Sequence, residues 1–393
     1  MKTSRRNLNM ILALFALLPP AVDGKPKDDT GKEKYLVYVG TDTKPTKDSG
    51  KGIYGYRYDS ASGQLVSIGL AAETTNPSFL AVHPNRAFLY AVNEVTHYKG
   101  QNSGVVSAFA IDHKTGKLTF LNEVSSRGAD PCHLIVDKTG KFVLVANYTG
   151  GSVAVFPILE NGGLGEASAF VQHTGHGTNP ERQEGPHAHY INVSADNRFA
   201  VAADLGLDEI LIYRFDPTKG TLAANDPRIV SLNPGAGPRH FAFSPSGTFA
   251  YVINEMQSTV TAFSYDADRG QLHSLQTIST LPKNFAGHND DAEIQIHPSG
   301  KFLYASNRGH DSIAVFAIDE SKGTLTALQY VPTQGKVPCN FEIDPTGSRL
   351  FVANQKSDSI VIFRIDPNTG RLAPTGDVLH VPSPLCVKFV AAE

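Results

Sequence analysis

The stretch "NPGAGPRHFAFSPSGTFAYVINE", residues 233–255, holds a Pro-led apolar run, a tight turn "SPSG", a second apolar run and a closing Asn-Glu pair. It reads as two short antiparallel strands with charged residues at their free ends. Its second half recurs along the chain: "HPNRAFLYAVNE" at 83–94, "DKTGKFVLVANY" at 137–148, "SADNRFAVAADL" at 194–205, "HPSGKFLYASNR" at 297–308 and "DPTGSRLFVANQ" at 344–355. Another apolar run follows in most units, such as "STVTAFSYD" or "DSIAVFAID". A Gly-containing turn such as "DRGQL" or "SKGTL" then opens an outer strand.

The repeat is therefore a four-stranded unit of about 50 residues, a period that should be sought before any local assignment. Its first strand is announced by Pro77, Pro131, Pro186, Pro238, Pro338 and Pro384, with "HNDDAEIQI" standing in for the proline form in one unit. Such a unit cannot bury both faces alone. Radial arrangement protects its edges, which predicts an all-β fold, a seven-bladed β-propeller. The tail "PSPLCVKFVAAE" matches the opening strand of the other units, whereas "KYLVYVGT" matches the second. The C-terminal strand is thus expected to join the N-terminal blade and close the ring, making one domain over 34–393.

Composition agrees. Of 393 residues, 41% are hydrophobic, and 35 Gly and 24 Pro suit many tight turns better than long helices. A net charge of −3 without a basic block excludes nucleic acid and anionic membrane as partners. "MKTSRRNLNM", then "ILALFALL", then small residues reads as a signal peptide over 1–24, with 25–33 a linker. Ser4-Arg5-Arg6 also fits a twin-arginine signal. The expectation is an exported chain, periplasmic or secreted, with no membrane span in the mature part, acting as a monomer. Cys132, Cys339 and Cys386 are too few for a disulfide framework, though a Cys339–Cys386 bridge is conceivable.

In an antiparallel meander, the start of the first strand and the end of the second share one sheet edge. Arg239 and Glu255 should therefore meet at one mouth of the central channel. Equivalent positions carry Cys132, His189 and Cys339 at strand starts, and Glu94, Tyr148, Leu205, Arg308 and Gln355 at strand ends. The longest connections, 42–52, 94–104 and 172–185, fall on the same edge and predict a cleft there. The opposite mouth, built of near-identical turns, reads as scaffold.

Arg239, Glu255 and Arg308 could be a structural ion-pair network between blades. Two arginines against one carboxylate also suit an anionic substrate or a developing oxyanion. His133, His187, His189 and His240 cluster near the same mouth, and His189 is the choice for proton transfer because it occupies the Arg239 position of its blade. His173, His176, His187 and His189 fit no familiar metal-ligand spacing, so no metal and no cofactor are expected. No Gly-x-Ser-x-Gly elbow is present, and Cys132 beside His133 leaves thiol chemistry open.

"GAGPRHFAFSPSGTFAYVINE", "EGPHAHYINVS", "IHPSGKFLYASNRGHDSIAVF" and "ANQKSDSIVIF" resemble the seven-bladed propeller lactonase family that includes bacterial 6-phosphogluconolactonases and fungal carboxy-muconate cyclases. The resemblance implies lactone chemistry in the channel mouth with His189, Arg239, Glu255 and Arg308 as catalytic residues. Substrate contacts are expected from His133, His187, His240, Asn254, Asn307 and Glu94, with a small-molecule lactone as the partner. His189 is favoured as base, because cations around Glu255 would depress its pKa. A phosphorylated lactone sits poorly with export, so an unphosphorylated aldonolactone is the alternative substrate. Two other readings use the same mouth: a muconate lactonising cycloisomerase, and a non-catalytic propeller that binds a glycan, peptide or partner protein through Tyr98, Tyr148 and Tyr190.

Overall fold

The computed structural model describes Met1, residues 34–44 and residues 49–392. Apart from Met1, the proposed signal peptide lies outside the described residues, as do the whole linker and part of the 42–52 connection. Within them the chain forms seven four-stranded antiparallel sheets, each a meander running outward from the axis. The only helical element among the described residues is a 3-10 turn at Gln355–Ser357, and no helix is long and apolar enough to cross a membrane.

Blade 1 is composite. The strand Pro384–Ala391 pairs with Lys34–Thr41, from Tyr35 opposite Ala391 to Thr41 opposite Pro384, so the chain's two ends are hydrogen-bonded into one sheet. This satisfies an otherwise open edge, the physical reason a propeller need not expose one. Blades 2 to 7 follow in order, with inner strands Pro77–Val82, Pro131–Val136, Ala188–Val193, Pro238–Phe243, Asp290–Ile296 and Pro338–Ile343. Pro186 does not open its strand: Ala188 takes the pairing position that Pro238 has in blade 5, and the proline lies two residues earlier.

Apolar layers between neighbouring blades form the core, because both faces of each sheet alternate into a neighbour. Polar clasps add direction. Tyr38, Tyr90, Tyr251 and Tyr304 donate their hydroxyls to the carbonyls of Gly116, Gly162, Gly323 and Gly370, the outer-turn glycines of the next blade. Gly323 has φ +71°, and a Cβ there would run into the Phe249 ring, so glycine is required twice over.

The inner strands share one irregularity that positions the site. In every blade the register between first and second strand slips near the strand start. Ser78, Cys132, His189, Arg239, Cys339 and Leu385 are the extra residues of six of these bulges, and Ala292 with Glu293 spans the seventh. A bulge leaves its residue unpaired and re-aims its side chain. Here it aims at the channel.

Candidate active site

The six bulge residues just named line one cavity of about 300 Å³ at the mouth of the channel. Glu94, Tyr148, Glu255, Arg308 and Gln355, the strand-end residues, complete the ring around it, and Phe79 and His240 lie deeper. The two positions picked out by antiparallel logic thus build the wall. Leu205, at the equivalent strand end of blade 4, does not reach it.

Glu255 organises the electrostatics. Its carboxylate is buried, with Oε2 2.7 Å from Arg308 Nη2 and 3.0 Å from Arg239 Nε, and Oε1 2.5 Å from Arg182 Nη2. Arg239 Nε lies out of line and makes no hydrogen bond at that distance. Two of the guanidiniums are also tied to the backbone of blade 6: Arg239 Nη1 donates to Ala292 O at 2.8 Å and Arg308 Nη2 to Asp291 O at 3.0 Å. Burial would raise the Glu255 pKa, but the charges of Arg308 and Arg239 outweigh it, and the pKa falls to about 2. Three guanidiniums gather on Glu255, and Asp290 Oδ1 lies 3.9 Å from Arg182 Nη1, so the arginines leave a net positive charge at the pocket that favours an anion.

The neutral groups are equally defined. Burial, then the charge of Arg239, pushes His189 well below the ordinary histidine range. His240 is pushed the same way by burial, Arg239 and Lys388. Both imidazoles are thus unprotonated bases at neutral pH. Burial raises the Glu94 carboxyl above the usual range, opposed by the charges of Lys44 and Arg239. Burial raises the Cys132 thiol well above its ordinary value, which disfavours the thiolate that a nucleophile needs; its Sγ lies 3.7 Å from His189 Nδ1.

Four of the expected contacts fall elsewhere. His133 lies below the cavity, packed at a tilt between Phe79 and Tyr190, and lines the cavity of the opposite mouth. His187 packs flat against Tyr148, ring centroids 4.6 Å apart, and supports the wall instead of lining it. Asn254 donates to Thr259 and Thr261 of its own blade. Asn307 donates to Thr280 O and Ser312 Oγ. Both asparagines tie strand ends to neighbouring strands.

Other expectations are corrected as well. All three cysteines are free, so the Cys339–Cys386 bridge does not form; Cys339 Sγ instead contacts Gln355 Oε1 at 3.0 Å. The four clustered histidines diverge: His173 is held by Asp204 and Tyr213, His176 bonds only its loop, and His187 and His189 face different walls. Polar residues are not confined to one mouth either. A second cavity of about 590 Å³ opens at the opposite end, with His133, Glu293 and Lys388 among its lining.

Arg182 was not anticipated. It comes from the 172–185 connection, whose length pointed to the cleft but whose irregular backbone gave no register from which to place a side chain. Lys44 and Asp42 of the 42–52 connection line the rim in the same way. Of the aromatic candidates, only Tyr148 lines the cavity. Tyr98 donates to Glu123 on the outside, and Tyr190 belongs to the lower layer.

Known proteins are similar to this chain over most of its length. Residues 36–389 match the family model described as lactonase, 7-bladed beta-propeller. A 6-phosphogluconolactonase of Bacillus subtilis (strain 168) is 39% identical over 357 residues, covering 91% of this chain and 99% of the relative. A 6-phosphogluconolactonase of Formosa agariphila is 38% identical over 310 residues, covering 78% and 85%. Among solved structures, the Pseudomonas aeruginosa periplasmic gluconolactonase superposes with a TM-score of 0.85 at 33% identity, covering 92% of this chain and all of that one. With its ring of seven blades and a cationic cavity at one mouth, the chain belongs to the seven-bladed β-propeller lactonases, enzymes that hydrolyse the carboxylic ester of a lactone ring.

Proposed function

We propose that the chain hydrolyses an unphosphorylated aldonolactone to the hydroxy acid in the cavity bounded by His189, Arg239, Glu255 and Arg308, and does so after export. The observation that carries the reading is the set of guanidiniums held on Glu255 beside two neutral imidazoles. Water attacks the lactone carbonyl, and an imidazole takes its proton. Arg239 and Arg308, anchored on backbone carbonyls, hold the tetrahedral oxyanion. As the ring C–O bond breaks, the imidazolium returns the proton to the alkoxide. Glu255 is too weak a base for the first step and serves to hold the arginines.

Export is supported by the basic-then-apolar pattern of residues 1–24, and the substrate by its consequence: a phosphate ester does not cross a membrane unaided. The solved periplasmic gluconolactonase is similar over almost the entire chain. The test is proton release from glucono-δ-lactone and from 6-phosphogluconolactone, corrected for spontaneous hydrolysis and run beside Arg239→Ala. Preference for the unphosphorylated lactone, lost about 10²-fold or more in the variant, is the expected outcome. Preference for the phosphorylated lactone moves the chain to an intracellular type of substrate, and an Arg239→Ala variant of near-normal activity removes that residue from the mechanism.

A further inference from the structure

The floor of the catalytic cavity pairs His240, expected only as a substrate contact, with Glu293, which the sequence did not single out. His240 Nδ1 lies 3.1 Å from Glu293 Oε1, and both side chains are buried. His240 lines the catalytic cavity, whereas Glu293 lines the cavity of the opposite mouth, so the pair spans the partition between them. Glu293 is itself fixed: Oε1 also accepts from Ile294 N at 3.0 Å, and Oε2 accepts from Asn340 Nδ2 at 2.5 Å. The other nitrogen of the ring, Nε2, faces Arg239 Nη1 at 3.4 Å. A guanidinium only donates, so Nε2 must carry its lone pair and Nδ1 its proton. The tautomer follows from the neighbours on both sides.

His189 has no such support. Its Nδ1 lies 3.7 Å from the Cys132 thiol, and among the described residues no carboxylate hydrogen-bonds its ring, although the Glu255 charge acts on it from a distance. An imidazole whose Nδ1–H is held by a buried carboxylate, with Nε2 open to the reacting centre, is the arrangement that makes histidine an effective base on many unrelated folds.

We propose that His240 is the proton acceptor of the reaction and Glu293 its positioning residue, with His189 left to contact the substrate. The proposal rests on the lactonase reading of the cavity. When the oxyanion forms on Arg239, the long Nη1···Nε2 contact opens and Nε2 takes a proton from the attacking water. The imidazolium is stabilised by the Glu293 carboxylate through Nδ1–H. It returns the Nε2 proton to the ring alkoxide, leaving carboxylic acid and hydroxyl, and the acid then ionises to solvent.

The surroundings set the pH dependence. Arg239, Arg308 and Lys388 face the pair as cations, and Glu342 as a carboxylate. His133, His189 and Tyr190 pack against it as neutral rings. Burial, opposed by Lys388 and Arg239, pushes Glu293 up to about 6, while His240 lies well below its ordinary range. The first proton taken up on acidification therefore belongs to the pair and lands chiefly on Glu293. Activity should fall as pH drops through about 6.

The deciding experiment is the pH profile of kcat and kcat/KM on glucono-δ-lactone for the wild type, His189→Ala, His240→Ala, Glu293→Gln and Glu293→Asp. His240→Ala should lose about 10²-fold or more in kcat. Glu293→Gln should lose about tenfold in kcat with KM within about twofold, and its acid limb should move to lower pH because the carboxylate that titrates is gone. Glu293→Asp should recover most of the rate. A Glu293→Gln profile that superimposes on the wild type, or a His240→Ala variant within about threefold while His189→Ala collapses, overturns the proposal and leaves the lactonase reading intact. Long-range ¹H–¹⁵N spectra of the wild type read the tautomer directly. A proton on Nε2 of His240 overturns the proposal even if the variants fail to fold. Absence of any lactone turnover by the wild type, with the Nδ1–H tautomer observed, instead removes the lactonase reading and with it the role assigned to the pair.

Discussion

Arg182 and Glu255, 73 residues apart in the chain, meet at 2.5 Å across the mouth of the channel, where a loop of one blade reaches the strand end of the next. The loop thereby adds the third guanidinium to a carboxylate already contacted by Arg239 and Arg308. Arg182 is the most exposed of the three, its side chain 37% accessible against 11% and 21%. It is the one a substrate meets first. Arg182→Ala should raise KM for an aldonolactone about tenfold, the value of one charge-assisted hydrogen bond, with little change in melting temperature. Steady-state kinetics beside a thermal melt check this. A variant of unchanged KM would make Arg182 a surface pair only.

Glu255 links the site to stability. Its folded pKa of about 2 lies below the ordinary value of 4.5, so its stabilising contribution is fully present above about 4.5 and is lost as pH falls toward 2. A shift of that size corresponds to about 3 kcal/mol at neutral pH. The stabilities of wild type and Glu255→Gln, read from denaturation curves, should therefore converge near pH 2, separate as pH rises from about 2 to about 4.5, and stay a constant amount apart from there to pH 7. Curves separated by a constant amount across the whole range would contradict the depressed pKa.

Closure of the ring depends on the C-terminal strand. Removing Pro384–Ala391 exposes the long Lys34–Thr41 edge and uncovers Val37, Val39 and Leu36, which are fully buried in the intact sheet. The truncated chain should aggregate or melt well below the full chain, because an unpaired apolar edge is a template for association. Size-exclusion chromatography and circular-dichroism melts test it. A monomeric truncation with the wild-type melting temperature would show that the composite blade is dispensable.

The thiols make a simple check on the core. Cys132 and Cys386 are buried and no pair is bridged. An aromatic disulfide reagent should label all three cysteines in denaturant and at most Cys339 quickly in the native protein. Reductant should leave the melting temperature unchanged. Rapid native labelling of Cys132 would mean that the bulge residues are more open than the packing shows.

Much of this site could be read before any coordinates because it is periodic. Each blade repeats a turn, two apolar runs and a Gly-containing turn, and hydrogen-bond geometry alone then puts Arg239, Glu255, His189, Arg308 and Glu94 on one edge. Seven copies of a unit that cannot bury itself dictate the ring, and the mismatch between the chain's first and last strands dictates how it closes. Side-chain direction past the bulge is a different matter. His133 and His240 occupy the same position in their blades, yet His240 reaches the catalytic cavity and His133 the cavity of the opposite mouth. What separates them is the shape of the ring interior, which no single repeat contains. Asn254 and Asn307 looked like site residues through their neighbours Glu255 and Arg308, but alternation along the strand turns them into the sheet. Arg182 comes from a loop without period, and the His240–Glu293 pair joins two blades whose spacing only packing sets. Local repetition determined the architecture and the edge that carries function. The tertiary structure decided which side chains on that edge share a cavity, because contacts between blades depend on distances that no repeat encodes.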